Sequence, residues 1–306
     1  MSASITLIGA ISLSHVKQFE AWLASYQISA QRSRLTDSAD PVAVERFDLA
    51  QPFNEAQVSE VRDHLLRWSD TSQIDHIYQA VSPDISKPGV AVFDMDSTLI
   101  KAEVMDELAV EAGIGEEIAL ITASAMRGEI DFTNSFIQRL SLLEGLSSSV
   151  MDRVFQRIEH MEGIARLMKV LHHFHWHSAI LSGGFTYFAD RVAAQYKMSE
   201  VHANVLEILD GKLTGKHLGT IVDGKRKRDL LENLVESANI PWRQTIACGD
   251  GANDLLMLDK ATLGVALHAK PLVRQKAPQP MNNMGLDGIL YLLGMTSAEI
   301  RELEML

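Results

Sequence analysis

Gly89–Ile100 reads GVAVFDMDSTLI. From Gly89 to Phe93 the run is short, apolar and rich in Val and Ala, the pattern of a strand buried on both faces. It delivers two carboxylates, Asp94 and Asp96, with Ser97 and Thr98 directly behind them. In an open parallel sheet, ligands collect beyond the C-terminal strand ends, so a D-x-D leaving such a strand carries acids to the place where chemistry occurs. Strand alternation puts residues i and i+2 on one side, where two carboxylates repel unless a cation or a shared proton relieves them. The stretch predicts a metal-dependent acid pair. Its purely structural alternative is an Asp-rich turn whose Ser97 or Thr98 caps a helix.

Two further strand ends carry polar groups. HSAILSGG ends in Ser182, Gly183 and Gly184, and glycines there let backbone N–H groups approach an oxyanion at the start of the helix FTYFADRVAAQY. QTIACGDGANDLLMLDKA reads as a buried strand, a permissive loop bearing Asp250, Asn253 and Asp254, and a helix. Oxygen-rich clusters of this kind suit Mg²⁺, which takes carboxylates, waters and a substrate phosphate. The acids lack the alternation and terminal Glu of an EF-hand loop. Between the two motifs lie Asp210-Gly211, a hairpin signal, and Lys225, Arg226, Lys227 and Arg228 at the opening of a helix. One lysine reaching a phosphate is a more economical reading of this basic group than a nucleic-acid patch. His172, His173, His175 and His177 fall at the start of a strand, opposite the catalytic edge, and read as a solvated loop.

Between the D-x-D strand and SGG, Val104–Gly113, Glu116–Arg127, Thr133–Leu143 and Ser148–Ile158 show helical spacing, as expected of a cap inserted at about 102–160. Glu103, Phe132 and Arg139 fall in this stretch; considered alone, such a Glu and Arg are ordinarily solvated. ATLGVAL gives a further strand and GILYLLGM a terminal helix. The first 80 or so residues read as strand, helix, two strands and helix, a small α+β unit of ferredoxin-like type, and Pro83 and Pro88 mark a boundary after it. The expected division is 1–82 and 83–306. A net charge of −12 argues against a nucleic-acid surface or an anionic membrane. The single cysteine, Cys248, forbids an intrachain disulfide and reads as a core residue. With no signal-like leader and no long apolar span, the expected setting is cytoplasmic.

DMDST at 94–98, SGG at 182–184, Lys227 and GDGAND at 249–254 together resemble the four ordered motifs of the haloacid dehalogenase superfamily. The match runs over roughly 85–306. Within it, DMDSTLIKAE at 94–103, AMRGEIDF at 125–132, QRLSLL at 138–143, ILSGGF at 180–185 and DGKLTG at 210–215 resemble the phosphoserine phosphatase family. The resemblance implies a Rossmann-like α/β core with a parallel sheet and helical cap, and Mg²⁺-dependent hydrolysis of phosphoserine in the last step of serine biosynthesis. It implies Asp94 as nucleophile, Asp96 as general acid and base, and Mg²⁺ on Asp94, the main-chain carbonyl of Asp96 and Asp250, with Asp254 in the outer shell. Ser182, Gly183, Lys227 and Asn253 would bind phosphate or fix the substrate. Glu103 would face the substrate ammonium, Arg139 its carboxylate, and Phe132 would exclude water. The dehalogenase reaction has no use for an acid at Asp96. The N-terminal unit is similar to ACT-like modules but lacks their D-R-P-G type turn, so the expectation for it is packing or dimerisation ahead of amino-acid sensing.

Overall fold

The computed structural model of the chain describes residues 3–305. β1 (Ser4–Gly9), α1 (Leu13–Ser25), β2 (Ala30–Arg34), β3 (Ala43–Leu49), α2 (Glu55–Ser72) and β4 (Asp75–Gln79) make a βαββαβ unit. Its sheet runs β2-β3-β1-β4 with antiparallel pairings throughout, the ferredoxin-like order. Sequence reading misses β4, because DHIYQ offers only Ile77 and Tyr78 as an apolar signal. All five residues are nonetheless buried, since both faces of the strand are covered. Tyr78 packs under the two helices with Phe19, Phe47 and Leu65, whereas Ile77 joins Ile8, Leu35 and Val44 in the large apolar cluster of the rest of the chain.

The remainder is built on β5 (Val90–Phe93), followed by α3 (Val104–Ala112), α4 (Gly115–Met126), α5 (Phe132–Ser141), α6 (Ser149–Arg157) and α7 (Ile164–His173). Then come β6 (His177–Phe185), α8 (Thr186–Tyr196), β7 (Glu200–Leu209), β8 (Lys212–Leu218), α9 (Gly224–Ser237), β9 (Thr245–Gly249) and α10 (Leu255–Lys260). The chain ends through β10 (Leu263–Leu267), α11 (Pro271–Lys276), β11 (Gln279–Met281), α12 (Gly288–Leu292) and α13 (Ser297–Met305). One sheet of order β11-β10-β9-β5-β6-β7-β8 results, parallel except for the β7–β8 hairpin. β5 is central and covered twice: Ala91 and Phe93 face one apolar cluster, Val90 and Val92 the other. That explains why its sequence is uniformly apolar instead of alternating.

GILYLLGM is not the last helix. α12 stops at Leu292, Gly294 takes φ +88°, and α13 follows. α13 and its approach help to hold the two sheets together, with the Ser297 amide donating to the Leu35 carbonyl at 2.8 Å. Arg46 Nη1 donates to the Leu292 carbonyl at 3.0 Å, and Asp75 Oδ2 accepts the amides of Asn282 and Asn283, each at 2.8 Å. α3–α6 form a helical cap whose entry and exit are tied together. The Lys101 amide donates to the Glu159 carbonyl at 2.8 Å, and the Met161 amide to the Leu99 carbonyl at 2.9 Å. Among the described residues no helix is long and apolar enough to cross a membrane.

Candidate active site

The site lies beyond the C-terminal ends of β5, β6 and β9. β5 ends at Phe93, so strand alternation does not set the geometry of the two acids. A tight turn does: the Met95 carbonyl accepts the amides of Thr98, Leu99 and Ile100 at 3.2, 2.8 and 3.1 Å. Ser97 takes φ +55° within it, a left-handed conformation unusual for a residue with a side chain. Its hydroxyl donates to Glu103 Oε1 at 2.7 Å. Asp94 is buried; its Oδ1 accepts the Met95 amide at 2.7 Å, and its Oδ2 lies 2.9 Å from Lys227 Nζ. Asp96 Oδ1 accepts the Val104 amide at 3.1 Å. Burial, with Glu103 and Asp94 adding negative charge, pushes the Asp96 carboxyl well above its ordinary range and favours the protonated acid.

Lys227 is delivered by α9. Asp223 caps that helix by accepting the Arg226 amide at 2.7 Å, so its neighbour Lys227 is fixed in the first turn. The lysine is fully buried, and Nζ also donates to Asp254 Oδ1 at 2.7 Å. Burial opposes its charge, but Asp254 and Asp94 outweigh that and hold the ammonium. Asp254 Oδ2 accepts the Gly251 amide at 2.9 Å, so both of its oxygens are engaged. Thr98 Oγ1 donates to Asp250 Oδ1 at 3.0 Å. Asp94, Asp250 and Asp254 each offer an oxygen within 4.8 Å of the others. Burial first, then mutual repulsion, raises Asp250 to about 8 and Asp254 to about 7. Three crowded carboxylates with one lysine between them, all of them oxygen donors, fit a hard divalent cation. Asn253 lies on the same loop, and its carbonyl would stand 2.6 Å from a β-carbon at Gly224, so the loop abuts the start of α9.

At the end of β6, Ser182 is fully buried and its Oγ accepts the Gly184 amide at 2.9 Å, which leaves the hydroxyl proton to be donated. The Phe132 ring covers this turn: a β-carbon at Gly183 would lie 3.0 Å from Phe132 Cζ. Asp131 caps α5 through the Asn134 amide at 2.8 Å and so sets where that ring begins. Arg139, in the last turn of α5, is half-buried. Its charge meets Asp106, Glu103 and Asp96, which offset the lowering of its pKa by burial. Glu103 is raised by desolvation, with Asp94 and Asp106 adding to it and Ser97 and Lys270 opposing it.

Asp94, Asp96, Glu103, Phe132, Arg139, Ser182, Gly183, Lys227, Asp250, Asn253 and Asp254 come to this region. His172, His173, His175 and His177 lie at the opposite end of β6, and Cys248 is buried in β9, where burial raises its thiol well above the usual range. Sequence reading singled out Gly184 for close backbone approach but missed a second reason for it, since a β-carbon there would overlap Asp96 Oδ2. It missed one contributor altogether. Asn204, a buried polar residue of β7 at the same spacing as the buried Leu206, donates from Nδ2 to the Gly183 carbonyl at 2.8 Å. Its only signal is that misplaced polarity.

Acids and a buried lysine meeting beyond the ends of a parallel sheet, under a helical lid, mark this as an α/β protein with its site at the C-terminal edge of the sheet. The family profile of haloacid dehalogenase-like hydrolases matches residues 91–259. The phosphoserine phosphatase of Vibrio cholerae is 44% identical over 211 residues, 69% of this chain, and the match spans 64% of that relative, less than two thirds of its length. The probable phosphoserine phosphatase of Schizosaccharomyces pombe is 40% identical over 261 residues, covering 85% of this chain and 88% of its own. A haloacid dehalogenase family hydrolase from Salmonella enterica serovar Typhi superposes with a TM-score of 0.81 at 30% identity, covering 96% of this chain and 99% of its own. The chain belongs to the haloacid dehalogenase-like hydrolase family.

Proposed function

We propose that the protein is a phosphoserine phosphatase that hydrolyses O-phospho-L-serine to L-serine and phosphate. The observation that carries this reading is the meeting of Asp94, Asp96, Ser182 and Lys227 in one buried pocket under Phe132 and Arg139. The activity named for the relatives fits it. Asp94 attacks phosphorus, the bond from phosphorus to the serine oxygen breaks, and Asp96 gives its proton to that oxygen. Asp96 then takes a proton from the water that attacks the aspartyl-phosphate, and phosphate leaves with Asp94 restored. A raised Asp96 pKa suits the first role, because the acid must arrive protonated. Ser182, the Gly183 amide and Lys227 hold phosphoryl oxygens, and Asn253 helps to fix substrate and loop.

Asp94, the main-chain carbonyl of Asp96 and Asp250 would hold Mg²⁺, with Asp254 orienting from the outer shell, where Lys227 and Gly251 already engage its oxygens. When bound, the cation supplies positive charge that lets an anionic carboxylate approach an anionic phosphate. On the cap, Glu103 receives the substrate ammonium, Arg139 clamps its carboxylate, and Phe132 keeps water out until the cap opens. The same reading divides the chain into 1–82 and a catalytic part, 83–306, and gives the first unit a role in dimerisation; light scattering on the full chain checks the latter. A panel of phosphoesters assayed with Mg²⁺ tests the function. Phosphoserine should exceed a generic aryl phosphate by a wide margin, and Asp94→Asn should abolish turnover. Full turnover by that variant would overturn the mechanism.

A further inference from the structure

β6 and β7 run in register from Ala179 opposite Glu200 to Leu181 opposite His202, and the pairing resumes with Phe185 opposite Asn204. Ser182, Gly183 and Gly184 thus oppose the single residue Ala203, a bulge at the strand end. The peptide between Gly183 and Gly184 is held at both ends. Its N–H donates to Ser182 Oγ at 2.9 Å, and its carbonyl accepts Asn204 Nδ2 at 2.8 Å. Asn204 Oδ1 accepts the Val222 amide at 2.9 Å, just before the Asp223 cap of the helix that carries Lys227. One partner is an acceptor and the other a donor, so the Asn204 amide fits in one orientation only. Its side chain is 2% exposed, so each of these bonds is made away from water.

We infer that Asn204 is a positioning residue for phosphoryl binding, pinning the Gly183–Gly184 peptide and linking that turn to the segment that leads into Lys227. Without the Asn204 donor this peptide is free to rotate. Ser182 then loses the N–H that fixes its hydroxyl, and Gly184 loses its place beside Asp96. The inference rests on the phosphatase reading, and Asn204 itself does not touch substrate.

The test compares Asn204→Asp and Asn204→Ala with the unaltered chain. Turnover is measured on phosphoserine and on p-nitrophenyl phosphate, inhibition with inorganic phosphate, and folding by thermal melting. Both variants should lose about 10- to 100-fold in kcat/KM, and inorganic phosphate should inhibit about tenfold more weakly. The N204D deficit should shrink as pH falls, because a protonated carboxyl again donates to the Gly183 carbonyl, whereas the N204A deficit should not. Phosphate inhibition within twofold of the unaltered chain in folded variants would overturn the inference, as would equal, pH-independent deficits that follow a lowered melting temperature. If N204D does not fold, Asn204→Ser, smaller and uncharged, decides through phosphate inhibition alone. Turnover of p-nitrophenyl phosphate but not phosphoserine by the unaltered chain would instead refute the substrate reading, and the Asn204 comparison would still be made on the aryl ester.

Discussion

Gly184→Ala isolates the acid–base role of Asp96 without changing an ionisable group. A β-carbon at this position would stand 3.0 Å from Met95 Cε and 3.2 Å from Ser182 Oγ, and would overlap Asp96 Oδ2. Restoring an ordinary contact requires the carboxylate to withdraw by about 1 Å. Its other oxygen is tied to the Val104 amide, so the withdrawal is a rotation that takes Oδ2 away from the leaving-group position. A misplacement of about 1 Å costs on the order of 100-fold, and full loss of general acid catalysis about 10²- to 10⁴-fold. We expect kcat on phosphoserine to fall within that range while the protein stays folded. Leaving-group dependence gives the sharper assay. p-Nitrophenolate departs without a proton, so formation of the aspartyl-phosphate from the aryl ester should be largely spared. Its hydrolysis still needs Asp96 to take a proton from water, so phosphoenzyme should accumulate and be trapped on acid quench. Equal losses in the rate of phosphoenzyme formation from the two esters, or an unchanged kcat on phosphoserine, would refute the assignment of Asp96.

Lys227→Met should remove activity and leave Asp94 and Asp254 without a counter-charge in a dry pocket, destabilising the fold by about 3–5 kcal/mol in urea titration. Mg²⁺ should raise the melting temperature as well as activity. A concentration of 100 times its Kd contributes about 2.7 kcal/mol, and Asp250→Asn should abolish most of that shift. The N-terminal unit should be acid-sensitive. Burial lowers His76 from 6.5 to about 3, with His15 as a neighbour 2.8 Å away between Nε2 atoms. The unfolded chain therefore binds more protons between these values, so this stabilisation is full above about pH 6.5 and declines as pH falls toward 3. The loss is about 4–5 kcal/mol at most, and His76→Gln should flatten the urea midpoint's dependence on pH across that window. Phe132→Ala should raise KM for phosphoserine and leave the melting temperature within a few degrees, since the ring packs on the glycine turn and not in the core.

The features legible in the sequence are those whose physical cause is local. GVAVF announces a doubly covered strand, and each set of polar residues stands at or just beyond the C-terminal end of its strand, so sequence order alone puts Asp94, Ser182 and Asp250 at one sheet edge. The basic group at 225–228 was legible as the opening of a helix with one lysine reaching the site, but the choice of Lys227 rested on the family resemblance, and the Asp223 cap that fixes that lysine is visible only in the structure. Features created by tertiary packing were not legible. β4 is polar by composition and becomes a buried strand only when two layers close on it. GILYLLGM carries the apolar signal of a terminal helix because α12 is core on every side, whereas α13 reads as polar. The convergence of Asp94 and Asp96 was expected from alternation, but a turn beyond the strand produces it. Asn204 makes sense only once the β6 bulge is known, since a bulge is a relation between strands.

The electrostatics of the pocket tie these parts together. Lys227 satisfies Asp94 and Asp254, while among the described residues the only side-chain hydrogen bond to Asp250 comes from the Thr98 hydroxyl, and Asp250 rises to about 8. The site therefore carries more acid than its lysine can balance, and burial prevents water from making up the difference. Such a pocket repels a phosphate dianion unless further positive charge is present, which fits the proposal that a divalent cation joins the site. On the cap side the balance is reversed locally. Arg139 and Lys270 stand against Glu103 and Asp106, and an amino acid brings one charge of each sign to this edge. On the phosphatase reading the cap side recognises the substrate and the strand ends act on it, and the Ser182–Gly184 turn meets both, with Phe132 against Gly183 and Asp96 against Gly184.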